Sequence, residues 1–519
     1  MRIQKSLVRF LACVAVASIA AVPQLSGAAP GDCGALKAAQ IPNTRITVVE
    51  AVAPNPIWIY PPSLFTTMAE GLAKGPVGVQ KPFCRVVGII EKEINFEVWL
   101  PRDWNGKFQG VGNGGLTGAL NYPAMGTALG QGYATASTDT GHRTEQGFFE
   151  DEWLEGHPER LVNFAYRAHH LLAQTGKQIV AAYYRKPAER AYYSGCSSGG
   201  WEGLSEAQRY PDDYDGIVVG APAINLVQVQ SRGILVAQMN LKNPEGSLTH
   251  ELAGRLAAAA VAKCDAKDGL KDGVIDDPRN CDFDPAELQC KTDTSKDCLT
   301  PAQVRTARAL YGPLKSRGGM QLYPGAAFGA SPLAELPPSS GKSKPGDAAI
   351  LLMLPQKPSW NVNTFDPDRD IPVLEKQLGS TLDAANPDLH RFQAHGGKLI
   401  MYHGWADPLL SPYNTLSYYD SVVRTMGGQQ ATDGFLRLFM VPGMQHCRGG
   451  PGPDTFDAVA SLDDWVEHAV PPERIVAAHE GAGGKQVDRT RPLCRYPQVA
   501  RYKGTGSTDE AASFKCQTL

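Results

Sequence analysis

The stretch Tyr193-Ser194-Gly195-Cys196-Ser197-Ser198-Gly199-Gly200-Trp201 decides the fold of this chain. It contains the pattern G-x-S-x-G, preceded by the apolar run Arg190–Tyr193 and followed by the helix-compatible run Trp201–Arg209. A strand, a sharp turn and a helix are the setting in which this pattern carries a nucleophilic serine, here Ser197. A plain Gly/Ser turn has the same pattern, so the flanking runs are what favour catalysis.

Short apolar runs alternate with helical runs on both sides of this turn. Such alternation predicts an α/β fold with a doubly wound, mostly parallel sheet, as in α/β-hydrolases. The expected strands are Ile46–Glu50, Cys84–Glu91, Asn95–Leu100, Lys107–Val111, Gly132–Ser137, Asp215–Val219, Lys398–Tyr402 and Phe435–Val441, and the main helix is Pro158–Tyr184.

The alternating pattern stops at residue 225 and resumes after residue 395. Between them the chain is rich in Pro, Gly, Asp and Lys and has few strand signals. We therefore expect a large inserted lid domain over 225–395, and a discontinuous catalytic domain over 29–224 and 396–519.

The N-terminus has the parts of a secretory signal peptide. Basic residues precede the apolar run Phe10–Val22, which is too short to span a bilayer comfortably, and small residues follow at Ser26–Ala28. Residues 1–28 are therefore expected to be removed, which predicts a secreted or periplasmic protein without membrane association. An uncleaved anchor is the alternative.

Charge and composition narrow the class of partner. The 519 residues carry a net charge of -3 and no long basic run, which argues against nucleic acid as a partner. Hydrophobic residues make up 43% and charged residues 20%, as is usual for a globular protein.

The cysteine count indicates disulfides. Of eleven cysteines, Cys13 lies in the expected signal peptide, which leaves ten, an even number in an exported chain. The sequence alone does not fix the pairing, but the spacing favours local pairs and leaves Cys196 and Cys447 for each other. The expected disulfides are Cys33–Cys84, Cys196–Cys447, Cys264–Cys281, Cys290–Cys298 and Cys494–Cys516.

A serine nucleophile needs a base to take its proton and an acid to orient that base. In this fold the acid and then the histidine follow the serine along the chain, each at a strand end. Asp407 is the only acid in Tyr402–Pro408, and His446 lies in Val441–Cys447 after the last strand. His403 precedes the acid, which disfavours it as the base, and we expect it to contact substrate.

Cysteines flank two of these candidate residues. Cys196 precedes Ser197, and Cys447 follows His446. If the serine and the histidine share a hydrogen bond, the two cysteines must lie close in space. A disulfide between them would hold the nucleophile beside its base.

A tetrahedral oxyanion requires two N–H donors that are already in position. The amide of Ser198, directly after the nucleophile, is the first candidate. The second should come from the glycine-rich stretch Gly112–Gly115, where we select Gly114, with Gly115 as the alternative. A plain glycine-rich turn has the same composition.

An acidic stretch lies inside the expected lid. Cys264–Asp277 contains five carboxylates within thirteen residues, with glycines between them. Such a cluster repels itself unless a cation is bound, and hard oxygen donors suit Ca²⁺. The stretch lacks the register and final Glu of an EF-hand, and a solvated Asp-Gly turn is the alternative.

These motifs together resemble the tannase and feruloyl esterase family. The resemblance rests on Cys196–Ser197, Asp407 and His446–Cys447, with Gly195–Leu204 and Tyr402–Pro408 as further family-like stretches, and it covers nearly the whole mature chain. It implies a serine carboxylic-ester hydrolase with a triad beside a disulfide. The implied substrates are esters of phenolic acids such as ferulates or gallates, of plant-cell-wall or tannin origin, hydrolysed without an organic cofactor.

The resemblance also implies a structural calcium ion in the lid, and a lid-built pocket for the aromatic ring. Leu410, three residues past Asp407, is expected to line that pocket. The implied calcium ligands are the side chains of Asp265, Asp268 and Asp272 and the carbonyls of Leu270 and Val274, with Asp276 as a further candidate.

Other functions stay open at this point. Hydrolases of mono(2-hydroxyethyl) terephthalate belong to the same group, and a general aryl esterase has the same triad. A non-enzymatic alternative is an exported calcium-dependent binding protein on a hydrolase scaffold, which the intact order of serine, acid and histidine disfavours. The sequence leaves the acyl group and the alcohol of the substrate open.

Overall fold

The computed structural model describes residues 31–54, 79–143, 152–154, 156–291, 298–332, 362–481 and 486–518. The expected signal peptide, residues 1–28, lies outside these residues. In the described ranges, no helix combines the length and the apolar character needed to cross a membrane.

A large sheet forms the centre of the molecule. The strands in chain order are β1 (Thr44–Val52), β2 (Phe83–Ile90), β3 (Ile94–Pro101), β4 (Lys107–Val111), β5 (Ala134–Thr138), β6 (Arg190–Cys196), β7 (Gly216–Gly220), β8 (Leu314–Lys315), β9 (Gln321–Tyr323), β10 (Lys398–Gly404), β11 (Leu436–Val441), β12 (Arg474–Glu480), β13 (Val487–Cys494), β14 (Gln498–Tyr502) and β15 (Phe514–Thr518). Nine of them form one sheet in the order β1-β2-β3-β5-β4-β6-β7-β10-β11.

The sheet is antiparallel from β1 to β5 and parallel from β5 to β11 in its spatial order. This confirms the predicted mostly parallel sheet, and each expected strand is present to within two residues at either end. The four C-terminal strands β12–β15, which form two antiparallel pairs, were not predicted. Many of their residues are only partly buried, so they carry a weak hydrophobic signal.

Helices flank this sheet and fill the segment between β7 and β10. In chain order they are α1 (Tyr122–Gly130), α2 (Pro158–Val162), α3 (Ala168–Tyr184), α4 (Ser198–Arg209), α5 (Leu226–Lys242), α6 (His250–Cys264), α7 (Pro301–Tyr311), α8 (Pro367–Leu374), α9 (Ser380–Leu382), α10 (His390–His395), α11 (Pro412–Thr425), α12 (Gln429–Asp433) and α13 (Ala458–His468). A π-helical turn, Asn163–Arg167, joins α2 to α3, so the helix expected over Pro158–Tyr184 is helical throughout.

Alternate residues of the central strands face opposite helical layers. Tyr193 and Val219 pack in a hydrophobic cluster with residues of α3 and α4. Tyr192 and Val218, their neighbours in sequence, pack in a different cluster with Trp465 of α13. Because side chains alternate along a strand, this pattern buries both faces of the sheet.

The segment expected to form the lid has two kinds of packing. Its first part has its own hydrophobic cluster, which includes Val236, Leu256 and Leu310. Its last part, from Phe365 to Phe392, packs in the same cluster as the sheet. The domain boundaries stay a prediction, and the later helices of this segment contribute to the sheet's core.

Candidate active site

Ser197 lies in the turn between β6 and α4, where its backbone has φ 64° and ψ −123°. Such a conformation costs about 1–3 kcal/mol, so the surrounding structure must enforce it. A Cβ on Gly195 would lie 2.4 Å from the carbonyl oxygen of Gly199, and one on Gly199 would lie 2.7 Å from that of Asn113. The two glycines of the pattern are therefore required for the turn to close.

A continuous chain of hydrogen bonds joins the three expected catalytic residues. Ser197 Oγ lies 2.9 Å from Nε2 of His446, and Nδ1 of His446 lies 2.7 Å from Oδ2 of Asp407. The serine follows β6, the acid follows β10 and the histidine follows β11. Because the carboxyl ends of neighbouring parallel strands share one edge of the sheet, residues far apart in sequence meet there.

Asp407 is buried and has four contacts. Its Oδ1 accepts the amide N–H groups of Leu409 at 2.8 Å and Leu410 at 2.9 Å, and its Oδ2 lies 3.1 Å from Nε2 of His403. Burial alone would raise the pKa of Asp407, but the contacts with His446 and His403 outweigh burial and hold the pKa below its ordinary value. An ionised carboxylate in this position fixes the tautomer of His446.

The position of His403 differs from the expected substrate contact. Its side chain is fully buried, at 0% exposure, because alternation along β10 directs it into the core. Its Nδ1 lies 2.7 Å from Oγ1 of Thr415, and its Nε2 faces both Asp407 and the carbonyl of Leu410. His403 therefore contacts Oδ2 of Asp407, the same oxygen that His446 contacts. Leu410 contacts the acid through its amide, and its place in the aromatic pocket stays a prediction.

The loop after β4 lies against the turn that holds Ser197. No residue in the described part of the chain accepts a hydrogen bond from the amides of Ser198, Gly114 or Gly115. The carbonyl of Gly114 accepts from both the amide and the hydroxyl of Thr117. These amides, Ser198 with Gly114 or Gly115, stay the predicted oxyanion donors.

Sequence reasoning missed a histidine that holds this loop. His142 Nε2 lies 2.9 Å from the carbonyl oxygen of Leu116, and its ring stacks on Trp153 with 3.7 Å between centroids. Burial lowers the pKa of His142 to about 4, so the ring is neutral at physiological pH. An isolated histidine after a strand gives no signal of this role.

The ten cysteines outside the expected signal peptide form five disulfides, and these are the pairs that the spacing favours. Cys196–Cys447 bridges 251 residues of sequence and lies directly beside the Ser197–His446 contact. The others are Cys33–Cys84, Cys264–Cys281, Cys290–Cys298 and Cys494–Cys516.

The acidic loop after α6 gathers carboxylates that repel one another. Burial raises the pKa of Asp268 to about 6, and the charge of Asp272 adds to the rise. Burial, together with the charges of Asp268 and Asp272, raises the pKa of Asp276 to about 7. Among the described residues, none donates to the carbonyl oxygens of Leu270 or Val274. Free carbonyls beside crowded carboxylates are the donor set that Ca²⁺ prefers.

All three expected carboxylate ligands also have protein partners. Asp268 Oδ1 accepts the amide of Leu270 at 2.9 Å. Asp265 accepts the amides of Asp272 and Gly273, each at 3.0 Å, and Asp272 Oδ2 lies 2.5 Å from Nη2 of Arg491. Each carboxylate oxygen has more than one lone pair, so these bonds still leave room for a cation. The donors of the loop therefore fit calcium.

A second acidic group lies between α3 and α4. Within the described residues, the group whose possible ligand atoms all lie within 4.8 Å of one another is His170, Glu206 and Asp213, and the acids of the calcium loop do not meet that condition. Asp213 Oδ2 lies 2.5 Å from Nδ1 of His170, and its Oδ1 lies 3.8 Å from the ammonium of Lys177. The ammonium of Lys177 and the ring nitrogen of His170 are thus already partners of this carboxylate.

The family model for tannase and feruloyl esterase matches residues 77–517 of the chain. The chain belongs to the tannase and feruloyl esterase family. The crystal structure of feruloyl esterase B from Aspergillus oryzae, at 29% identity, superposes with a TM-score of 0.82 over 93% of this chain and 99% of that one.

Curated relatives of this family member are also similar over most of its length. An uncharacterized esterase of Xanthomonas campestris pv. campestris is 36% identical over 490 residues, which is 84% of each chain. The mono(2-hydroxyethyl) terephthalate hydrolase of Piscinibacter sakaiensis is 33% identical over 514 residues, 83% of this chain and 84% of that one.

Family membership confirms three predictions from the sequence: the family, the α/β-hydrolase fold and the enzyme class. This tannase-family protein is a carboxylic-ester hydrolase. Ester hydrolysis by such enzymes needs no organic cofactor.

Proposed function

We propose that this protein is a serine esterase for esters of aromatic, phenolic acids. Ser197 is the nucleophile, His446 is the general base and then the general acid, and Asp407 orients the imidazole. The hydrogen-bonded chain from Ser197 Oγ through His446 to Asp407, at 2.9 and 2.7 Å, supports this assignment most directly.

The proposed reaction has two halves. Ser197 Oγ attacks the ester carbonyl carbon and its proton passes to Nε2 of His446, while the amides of Ser198 and Gly114 donate to the oxyanion. The bond to the alcohol then breaks, and the alcohol leaves with the proton from His446. A water molecule gives a proton to His446 and attacks the acyl-enzyme, which releases the acid and returns the proton to Ser197.

The substrate class is supported by the family. Feruloyl esterase B from Aspergillus oryzae is a structural neighbour with 29% identity, which favours a ferulate-like acyl group. The ester itself would be of plant-cell-wall or tannin origin. The lid segment would supply the pocket for the aromatic ring, with Leu410 on its wall. A terephthalate monoester is the second candidate, favoured by the 33% identity to the Piscinibacter sakaiensis hydrolase.

Substrate-panel kinetics test the proposal. Wild-type protein and Ser197→Ala are assayed on methyl ferulate, methyl gallate and mono(2-hydroxyethyl) terephthalate, with Ser205→Ala on the same helix as the control. We expect the wild-type protein to hydrolyse at least one ester. In Ser197→Ala, kcat should fall roughly 10⁴-fold or more, and in the control kcat should not fall. Absence of wild-type hydrolysis, or an active Ser197→Ala, contradicts the proposal.

We further propose a structural calcium ion in the lid segment. The side chains of Asp265, Asp268 and Asp272 and the carbonyls of Leu270 and Val274 would hold it, with Asp276 as a further candidate. The ion would neutralise the loop and stabilise its packing against the C-terminal strands, and it takes no part in the ester chemistry.

We also propose that the protein is exported, either to the periplasm or out of the cell. Five disulfides support this, since such bonds persist in oxidising compartments. The predicted signal peptide at residues 1–28 is the expected route.

A further inference from the structure

A buried carboxylate connects the nucleophile helix to the loop after β4. Glu202 lies one turn beyond Ser198 on α4, and its side chain has 0% exposure. Its Oε2 accepts the amide N–H of Asn113 at 2.9 Å and the hydroxyl of Tyr193 at 3.0 Å. The same oxygen lies 3.0 Å from Nε2 of His169. The hydrogen bonds converge on Oε2, whereas the equally buried Oε1 has no hydrogen-bond partner among the described residues, so Oε2 alone fixes the side chain.

Further hydrogen bonds fix the loop on both sides of Gly114. The side-chain amide of Asn113 donates to the carbonyls of Ala119 at 3.2 Å and Thr138 at 3.0 Å. Ser198 Oγ donates to the carbonyl of Gly115 at 2.6 Å. The backbone is thus held at the residue before Gly114 and at the residue after it.

These contacts set the directions of the intervening peptide groups. The amide of Asn113 is committed to Glu202, whereas the next two amides, those of Gly114 and Gly115, have no acceptor among the described residues. An oxyanion hole stabilises the transition state only if its donors need no rearrangement when charge develops. The bond from Asn113 to Glu202 provides that fixation from the side of the nucleophile helix.

We propose that Glu202 is a positioning residue for the oxyanion loop. Its carboxyl oxygen Oε2 holds the Asn113 amide at 2.9 Å, so that the following glycine N–H stays directed at the oxyanion. Glu202 touches neither the substrate nor the reacting atoms, and it acts through the loop. The inference rests on the proposed function, because it requires an acyl transfer at Ser197.

A matched pair of variants isolates this role. Glu206 lies one turn further along α4, is equally buried, and interacts with Asp213 instead of the loop. We expect Glu202→Leu to lower kcat roughly 10- to 100-fold with KM within about threefold, as for a displaced oxyanion donor. Glu206→Leu should keep kcat within about threefold of wild type, and Glu202→Gln, which retains an acceptor oxygen, should recover most of the loss.

A transition-state analogue supplies a readout that a purely structural role does not change. Phenylboronic acid forms a tetrahedral adduct with a serine nucleophile, whereas benzoate binds as a ground-state product. In Glu202→Leu we expect the Ki of the boronate to rise about as much as kcat falls, and the Ki of benzoate to stay within about twofold. Equal losses of kcat in the two Leu variants, or an unchanged boronate Ki, overturn the inference.

Two further comparisons keep the outcomes separate. If Glu202→Leu does not fold by circular dichroism, Glu202→Asp takes its place, because it keeps a carboxyl group but withdraws the acceptor from Asn113. We expect it to lose about tenfold in kcat, and wild-type kcat contradicts the inference. An active Ser197→Ala overturns the proposed function, whereas an inactive Ser197→Ala with a wild-type-like Glu202→Leu overturns this inference alone.

Discussion

Cys196 is bonded to Cys447, and this disulfide connects the residue before Ser197 to the residue after His446. The two partners are 251 residues apart in sequence, and the chain between them includes all of residues 225–395, the segment expected to form the lid. The 2.9 Å contact between the serine hydroxyl and the imidazole therefore has a covalent connection beside it.

Removal of this disulfide is expected to reduce both stability and activity. The double variant Cys196→Ala/Cys447→Ala should lose about 5 kcal/mol of unfolding free energy in the chain-entropy model, and kcat should fall because the serine and the histidine are no longer held together. Denaturant unfolding and ester kinetics measure the two effects. The control Cys494→Ala/Cys516→Ala opens a shorter loop and should have the wild-type kcat. Full activity of Cys196→Ala/Cys447→Ala would contradict the role of this disulfide in holding the serine beside the histidine.

His403 is expected to act through Asp407. In His403→Leu the contact to the acid at 3.1 Å is lost, while the amides of Leu409 and Leu410 remain, so kcat should fall about tenfold with little change in KM. Steady-state kinetics on the best ester of the panel measure this. The control His395→Leu, on α10, should have the wild-type kcat and KM. A rise in KM alone in His403→Leu would instead indicate that His403 contacts the substrate.

The neutral, buried His142 should make stability depend on pH. Burial lowers its pKa from 6.5 to about 4, so the unfolded chain binds a proton in this interval that the folded protein does not. The contribution of the neutral His142 to the free energy of unfolding is therefore fully present above pH 6.5 and is lost as the pH falls towards 4. The loss attributable to this group is about 3 kcal/mol.

Urea unfolding of wild type and His142→Gln between pH 7.5 and pH 4 tests this dependence. The variant is neutral throughout and retains a donor for the carbonyl of Leu116. The difference in unfolding free energy between the two proteins should change by about 3 kcal/mol over the range, with wild type losing more at low pH. If the unfolding free energies of the two proteins change equally with pH, the predicted role of His142 is contradicted.

Removal of calcium should destabilise the protein without changing the ester chemistry. We expect EGTA to lower Tm by about 5 °C or more, and added Ca²⁺ to restore it. Asp268→Asn should have the lower Tm and no response to Ca²⁺, whereas the control Asp282→Asn, an exposed acid paired with Lys267, should respond as wild type does. An unchanged Tm after chelation, with no metal in the purified protein by elemental analysis, contradicts the site.

Much of the sheet and of the site could be predicted from sequence because both follow local rules. Ser197 sits in a pattern whose glycines are sterically required, and Asp407 and His446 follow strands that contain the apolar runs Leu399–Met401 and Leu438–Val441. The order of the three residues along the chain then places them at one edge of the sheet. The strands β12–β15 were missed because their partly exposed residues do not alternate clearly in polarity.

Contacts between distant side chains could not be predicted in this way. His403 was expected at the substrate because it ends a strand, but the side of the strand it occupies depends on the register. Glu202 gave no signal, since an acid within a helix is usually solvated. The loop after β4, Tyr193 and His169 all pack against it and bury it. The choice between Gly114 and Gly115 depends on peptide orientation, which composition does not encode.

Covalent labelling tests the central claim, that Ser197 is the nucleophile, most directly. The protein is treated with an alkyl fluorophosphonate, digested, and mapped by mass spectrometry, with Ser197→Ala treated in parallel. We predict one phosphonyl adduct on the peptide that contains Ser197, loss of esterase activity in proportion to labelling, and no adduct in the variant. An adduct at another serine, or complete labelling of Ser197 with esterase activity retained, would contradict the account.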